Sequence, residues 1–148
     1  MSSIQKGRQT WEVPERPALV STAAVGRFME REGPLTDTFD YTTKANYLGQ
    51  DSSDNAEKAL QGKACTIALN KASVKPEEVD FLLAGDLMNQ ITVSGFTARN
   101  LGIPYLGLFA ACATSTEGLG LAAQLVATGA AKRVITATSS HTSAAERQ

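Results

Sequence analysis

Apolar and polar positions change period several times along this chain, and the changes mark out alternating strands and helices. Val79-Asp80-Phe81-Leu82-Leu83-Ala84 is a nearly continuous apolar run, the pattern of a strand covered on both faces. Tyr105 to Phe109 and Arg133 to Thr138 read the same way. Ala18 to Val25, small and β-branched, is expected to form a further strand. Ala56, Ala59, Leu60, Ala64, Ile67 and Ala68 instead keep to one broad helical face. They predict a helix from about Asn55 to Ala72, with Asp51-Ser52-Ser53-Asp54 supplying its N-cap. Cys65 falls inside this helix and is read as a core residue. Shorter helices are predicted over Thr92 to Leu101 and Ala113 to Ala127. Glu32-Gly33-Pro34-Leu35 and Pro76-Glu77-Glu78 read as turns, and Phe39 to Asn55 as a mostly polar loop. Residues 1–16 are polar, with Trp11 as the single large apolar anchor.

Strands alternating with helices imply a parallel sheet, and right-handed crossovers bring successive strand exits to one edge. Ligands of such sheets bind along that carboxyl edge. Three polar exits are expected to converge there: Asp86 with Asn89, then Cys112, then His141. Adjacent strands lie about 4.8 Å apart, so neighbouring exits can share a pocket. The helix after Cys112 adds a second expectation. Between Ala113 and Ala131 its only charge is Glu117. A helix with no charged outer face is normally covered on all sides, and one sheet covers only one. This helix is therefore expected to meet a second half of the fold or a partner subunit.

Composition narrows the class. The 148 residues suffice for one domain with a real core, and 43% hydrophobic against 20% charged residues describe a globular protein. Fourteen basic and 15 acidic residues give a net charge of −1, with no basic run for nucleic acid or an anionic membrane. The N-terminus lacks the apolar core of a signal peptide. Leu119 to Ala131, the least polar stretch, is too short to span a bilayer. Cys65 and Cys112 have no metal-ligand spacing and suggest a reducing compartment. No metal or cofactor is called for.

Cys112 carries the candidate chemistry. It stands between a strand-like run and a long small-residue helix, in Phe109-Ala110-Ala111-Cys112-Ala113-Thr114-Ser115-Thr116-Glu117-Gly118. Backbone amides at such a junction stabilise a thiolate, or hold a ligand's carboxylate. A small buried hydrophobe is the competing reading for a free cysteine. Asp86 is read as structural, and Trp11 and Tyr105 as core or interface residues rather than ring-stacking partners.

The surroundings Ala111-Cys112-Ala113-Thr114-Ser115 resemble those of the nucleophilic cysteine in thiolase-fold condensing enzymes, at the N-terminus of a buried central helix. The resemblance runs from about Ala18 to the C-terminus. It implies an α/β, thiolase-like fold: the N-terminal half of a pseudo-duplicated architecture with a mostly parallel mixed sheet and flanking helices. Residues 1–148 would then be one N-terminal half-domain, with 1–16 as a polar leading segment and the C-terminal half absent.

A closer resemblance rests on Gly7-Arg8-Gln9-Thr10-Trp11, Glu32-Gly33-Pro34-Leu35, Leu83 to Gln90, Phe109 to Ser115, and Ala137-Thr138-Ser139-Ser140-His141 with Ala145-Glu146-Arg147-Gln148. Together these are similar to the stage V sporulation protein AD family of endospore-forming bacteria. That resemblance implies binding of dipicolinic acid (pyridine-2,6-dicarboxylate) and its uptake, with calcium, into the developing spore. Membrane proteins of the same operon would be partners, at the spore inner membrane, and a homodimer is implied by the way thiolase folds pair. For such a ligand the expected contacts are Cys112, His141, Thr114, Asn89 and Ser140.

Two other functions remain open at this point. Acyl transfer would use Cys112 as nucleophile, but the condensing enzymes keep their other catalytic groups in the second half, and His141 is the single histidine here. The chain alone is therefore expected not to be an enzyme. A structural subunit that only docks membrane partners is the third reading.

Overall fold

The computed structural model describes residues 5–45 and 47–140. Strand β1 (Gln5–Lys6) and strand β2 (Thr10–Trp11) form a small antiparallel hairpin at the N-terminus. Strand β3 (Val25–Gly26) pairs in parallel with β4 (Tyr41–Thr42), across the short helix α1 (Phe28–Glu32). The rest is a β/α alternation: α2 (Ser53–Ala72), β5 (Phe81–Gly85), α3 (Thr92–Leu101), β6 (Tyr105–Gly107), α4 (Thr114–Ala127) and β7 (Val134–Thr138).

The main sheet has the order β6-β5-β7, and both pairings are parallel. Its central strand β5 buries Leu82, Leu83, Ala84 and Gly85, as the continuous apolar run requires. Successive side chains alternate between faces. Leu82 and Ala84 join Cys65 and Leu69 of α2, Ala98 of α3, and Ile135 and Ala137 of β7 in one core. Helix α4 covers the other face. A Cβ added at Gly118 would lie 3.3 Å from both Leu108 and Thr136, so a glycine lets this helix settle close to the sheet. Asp80 fixes the start of the β5–β7 pair. Its Oδ2 accepts from the Lys132 and Arg133 amides at 2.6 and 2.9 Å.

The helices follow the sequence closely. Ser52 caps α2 by accepting from the Asn55 amide at 3.2 Å, so the helix opens two residues before the expected start. Ser73 ends it in the left-handed region. Helix α3 has the expected bounds. Cys65 is buried, and burial pushes its thiol up to about 11, far from a reactive range.

The expected strand over Ala18 to Val25 is a correction. Only Val25–Gly26 is paired, because β4 is just two residues long. The preceding segment is tied to α2 instead. Ser21 Oγ donates to the Ala68 carbonyl at 2.8 Å, and Lys71 Nζ to the Thr22 carbonyl at 2.8 Å. Strand β6 is also shorter than expected. The Leu108 amide still reaches the Ala84 carbonyl, but Phe109 is 83% exposed. Trp11 is 58% exposed, so it does not anchor a core. Tyr105 is partly buried and donates to the Ala84 carbonyl at 3.1 Å, as a core residue would.

Candidate functional site

The exits of β5 and β6 share a cleft of about 340 Å³ at the carboxyl edge of the sheet. Asp86, Leu87, Met88 and Asn89 line one side, and Phe109, Ala110 and Ala111 the other. Its volume lies at the lower end of the range for small-molecule sites, about 300–1,000 Å³. Asn89 is exposed on the first wall. Cys112, also exposed, directly follows the second.

Cys112 sits in a 3₁₀ turn, Ala111–Ala113, ahead of α4 rather than in the α-helix itself. That turn uses two of the amides expected to face a ligand. Ala113 N donates to the Ala110 carbonyl, and Thr114 N to the Ala111 carbonyl. Thr114 is only 2% exposed, and its Oγ1 has no hydrogen-bond partner. Three residues around the cleft and its neighbourhood hold left-handed backbone without being glycine: Gln90 (φ 56°), Ile91 (φ 49°) and Ala111 (φ 46°). Such conformations cost non-glycine residues about 1–3 kcal/mol each and concentrate at functional loops. For β-branched Ile91 the conformation is a genuine outlier.

Asp86 resolves as a structural residue. It is 5% exposed. Its Oδ1 accepts from the Met88 amide at 2.9 Å, and its Oδ2 from the Ser94 amide and hydroxyl at 2.8 and 2.7 Å. The carboxylate caps the first turn of α3, where the helix dipole favours negative charge. Its charge is thus spent inside the protein.

The third exit lies on the far side of β5. Because β6 and β7 flank that strand, their exits are two strand spacings apart, about 10 Å. Ser139 leaves β7 with its amide on the Gly85 carbonyl at 3.4 Å, and Ser140 follows, exposed. His141 lies outside the described residues.

A buried polar cluster behind the cleft was not singled out in the sequence. Glu57 and Gln61 of α2 are 1% and 2% exposed. Gln61 Nε2 donates to Ser94 Oγ at 3.0 Å and to Ser139 Oγ at 3.2 Å. Ser139 Oγ donates to Glu57 Oε1 at 2.8 Å. Glu57 and Gln61 are one turn apart and each follows a core position, Ala56 and Leu60. That spacing was the available signal. Their partners lie 33 and more residues away, beyond any local pattern.

Burial drives the Glu57 carboxyl above its usual range. The Ser139 hydrogen bond pulls the other way, and the charges of Asp86 and Asp54 add to the rise. A raised folded-state pKa means the folded chain holds this proton more tightly than the unfolded one. The resulting stability is full below the ordinary carboxylate pKa and is lost as pH rises through the folded value. The expected result is that Glu57→Gln gains stability over wild type as pH climbs from about 4 to 8. Urea unfolding across that window checks it, and a constant difference would refute it.

Comparison with known proteins identifies the family and the fold. The model of the family described as Stage V sporulation protein AD matches residues 7–148. Stage V sporulation protein AD of Bacillus subtilis (strain 168) is 43% identical over 143 residues, which is 96% of this chain and 42% of that protein. The chain thus spans less than half the length of the curated relative it matches. Among solved structures, 3-oxoacyl-[acyl-carrier-protein] synthase III from Aquifex aeolicus VF5 superposes with a TM-score of 0.54 at 22% identity, over 59% of this chain and 30% of its own. The priming β-ketosynthase of the R1128 polyketide pathway gives 0.51 at 25% identity, over 61% and 28%. The fold is thiolase-like, as the sequence implied.

Proposed function

This chain belongs to the stage V sporulation protein AD family, and from that premise we propose that it binds dipicolinate and serves its uptake into the developing spore. The observation that carries the reading is the cleft between the β5 and β6 exits, with its one acidic wall residue turned inward. Both Asp86 oxygens accept from internal donors, which turns the carboxylate toward α3 and away from an incoming dianion. Asn89 lines one side of the opening, and the exposed Cys112 directly follows Ala111 of the other. Ser140 follows the β7 exit, so a ligand bridging Cys112 and Ser140 lies across the Gly85–Asp86 exit between them, and His141 is the next residue in the chain. Two carboxylates held apart by an aromatic ring suit such a span. Thr114, expected as a ligand contact, is instead 2% exposed and packed against Gly85.

Calorimetry with dipicolinate, with and without calcium, on the longest form the gene encodes tests this reading. Cys112→Ala and His141→Ala are each expected to weaken binding about tenfold, the scale of one strong hydrogen bond. Unchanged affinity in both variants removes the pocket assignment.

The remaining parts of the proposal concern partners. Membrane proteins of the same sporulation operon hold the chain peripherally at the spore inner membrane. Among the described residues no helix is long and apolar enough to cross it. A second copy pairs along the outer edge of β6, where Leu106 and Phe109 are exposed. The outer face of α4, with Leu119 half exposed and Glu117 its only charge, is covered by a second half of the fold.

One observation favours a second reading, acyl transfer: Cys112 is exposed ahead of α4 in a fold shared with condensing enzymes. Mass spectrometry after incubation with acyl thioesters distinguishes it, since only that reading puts a covalent adduct on Cys112.

A further inference from the structure

The buried cluster behind the cleft has a definite polarity. The Gln61 amide forks, giving one N–H to Ser94 Oγ and the other to Ser139 Oγ. Each serine passes its own proton to a carboxyl, Ser94 to Asp86 and Ser139 to Glu57. One side chain of α2 thereby ties the exit of β5 to the exit of β7. We propose that Glu57 is a positioning residue of the ligand site: it fastens Ser139 and, through Gln61 and Ser94, holds the β7 exit in register with the Asp86 exit. The proposal rests on the dipicolinate reading, in which the ligand bridges those exits.

Three observations support it. First, the parallel ladder ends at the Gly85–Thr138 pair. Beyond it, among the described residues, the backbone offers only the long Ser139–Gly85 bond of 3.4 Å, and the side-chain cluster adds to that restraint. Second, the cluster is not what fold stability alone selects. Glu57 Oε2 and Gln61 Oε1 are buried without hydrogen-bond partners, and a partly satisfied polar network is worse for stability than an apolar one. Third, the cluster joins the two exits that the ligand must span, and Ser140 is the next residue after the one it holds.

The test compares Glu57→Ala, Glu57→Gln, Ser139→Ala and Leu69→Ala in the longest form the gene encodes, by dipicolinate calorimetry and by hydrogen exchange at the Ser139 amide. Glu57→Ala is expected to bind about tenfold more weakly and to lose protection at Ser139. Glu57→Gln keeps the acceptor and the shape, and is expected to restore both. Ser139→Ala, which removes one half-buried hydroxyl, is expected to match Glu57→Ala in affinity, and it carries the affinity test if Glu57→Ala fails to fold. Leu69→Ala faces the core of the same helix and reports destabilisation alone; its affinity is expected to stay at the wild-type level. Equal weakening by Leu69→Ala, or wild-type affinity in both Glu57→Ala and Ser139→Ala, overturns the proposal. If the wild type takes no dipicolinate, the ligand reading falls and exchange decides the tie by itself. Protection lost in Glu57→Ala and kept in Glu57→Gln supports it, and protection kept in both overturns it.

Discussion

Replacing Gly85 by alanine is expected to destabilise the chain by about 3 kcal/mol, the upper part of the usual overpacking range. Gly85 ends β5 where the β6 exit and the start of α4 press against it. A Cβ there would overlap the Leu108 carbonyl oxygen and come within 2.9 Å of Thr114 Cγ2. Neither neighbour can retreat cheaply. The Leu108 amide is bonded to the Ala84 carbonyl at 2.9 Å, so moving its peptide breaks the edge of the sheet. Thr114 is buried in the first turn of α4. Thermal unfolding should show a midpoint lowered by roughly 10 °C. Gly62 provides the control. It lies inside α2 with nothing within 4 Å of its added Cβ, so Gly62→Ala should stabilise by about 0.5–1 kcal/mol through helix propensity. If Gly85→Ala melts with wild type, the close approach of the two exits is wrong, and so is the cleft built on it.

What the sequence showed and hid follows from the range of the interactions. Helices α3 and α4 were placed within one residue of their observed bounds. Ser52 was legible as a cap because its partner is three residues away. Ala18 to Val25 misled because its composition allows a strand, but a strand also needs a partner of matching length, and β4 pairs with only two of those positions. At the candidate site, topology alone placed Asn89 and Cys112 at one edge, and the cleft joins their two exits. Topology could not say that β5 lies between β6 and β7, because chain order does not give strand order. Nor could it show that the turn at Cys112 uses the Ala113 and Thr114 amides internally. Glu57 and Gln61 were hidden for a further reason. Polar residues on a helix are ordinarily solvated, and only partners brought by β7 and α3 make these two buried.

Asp86→Asn is expected to cost roughly 2–3 kcal/mol, although it alters no shape. The carboxylate accepts three hydrogen bonds and donates none. An asparagine amide presents one acceptor and one donor, so one native donor must face an N–H whichever way the amide turns. With the oxygen kept toward Ser94, the Met88 amide loses its acceptor at Asp86 Oδ1. With the amide reversed, the Ser94 N–H does. Either choice breaks a charge-assisted bond in a buried setting and removes negative charge from the first turn of α3. The loss should appear in urea unfolding as a lower midpoint with an unchanged slope, since the folded chain keeps its compactness. Hydrogen exchange should localise it to the first turn of α3 and the β5 exit. A midpoint equal to wild type would mean that Asp86 is not turned into the helix. Its charge would then face the cleft, and a dianion would be the wrong ligand for it.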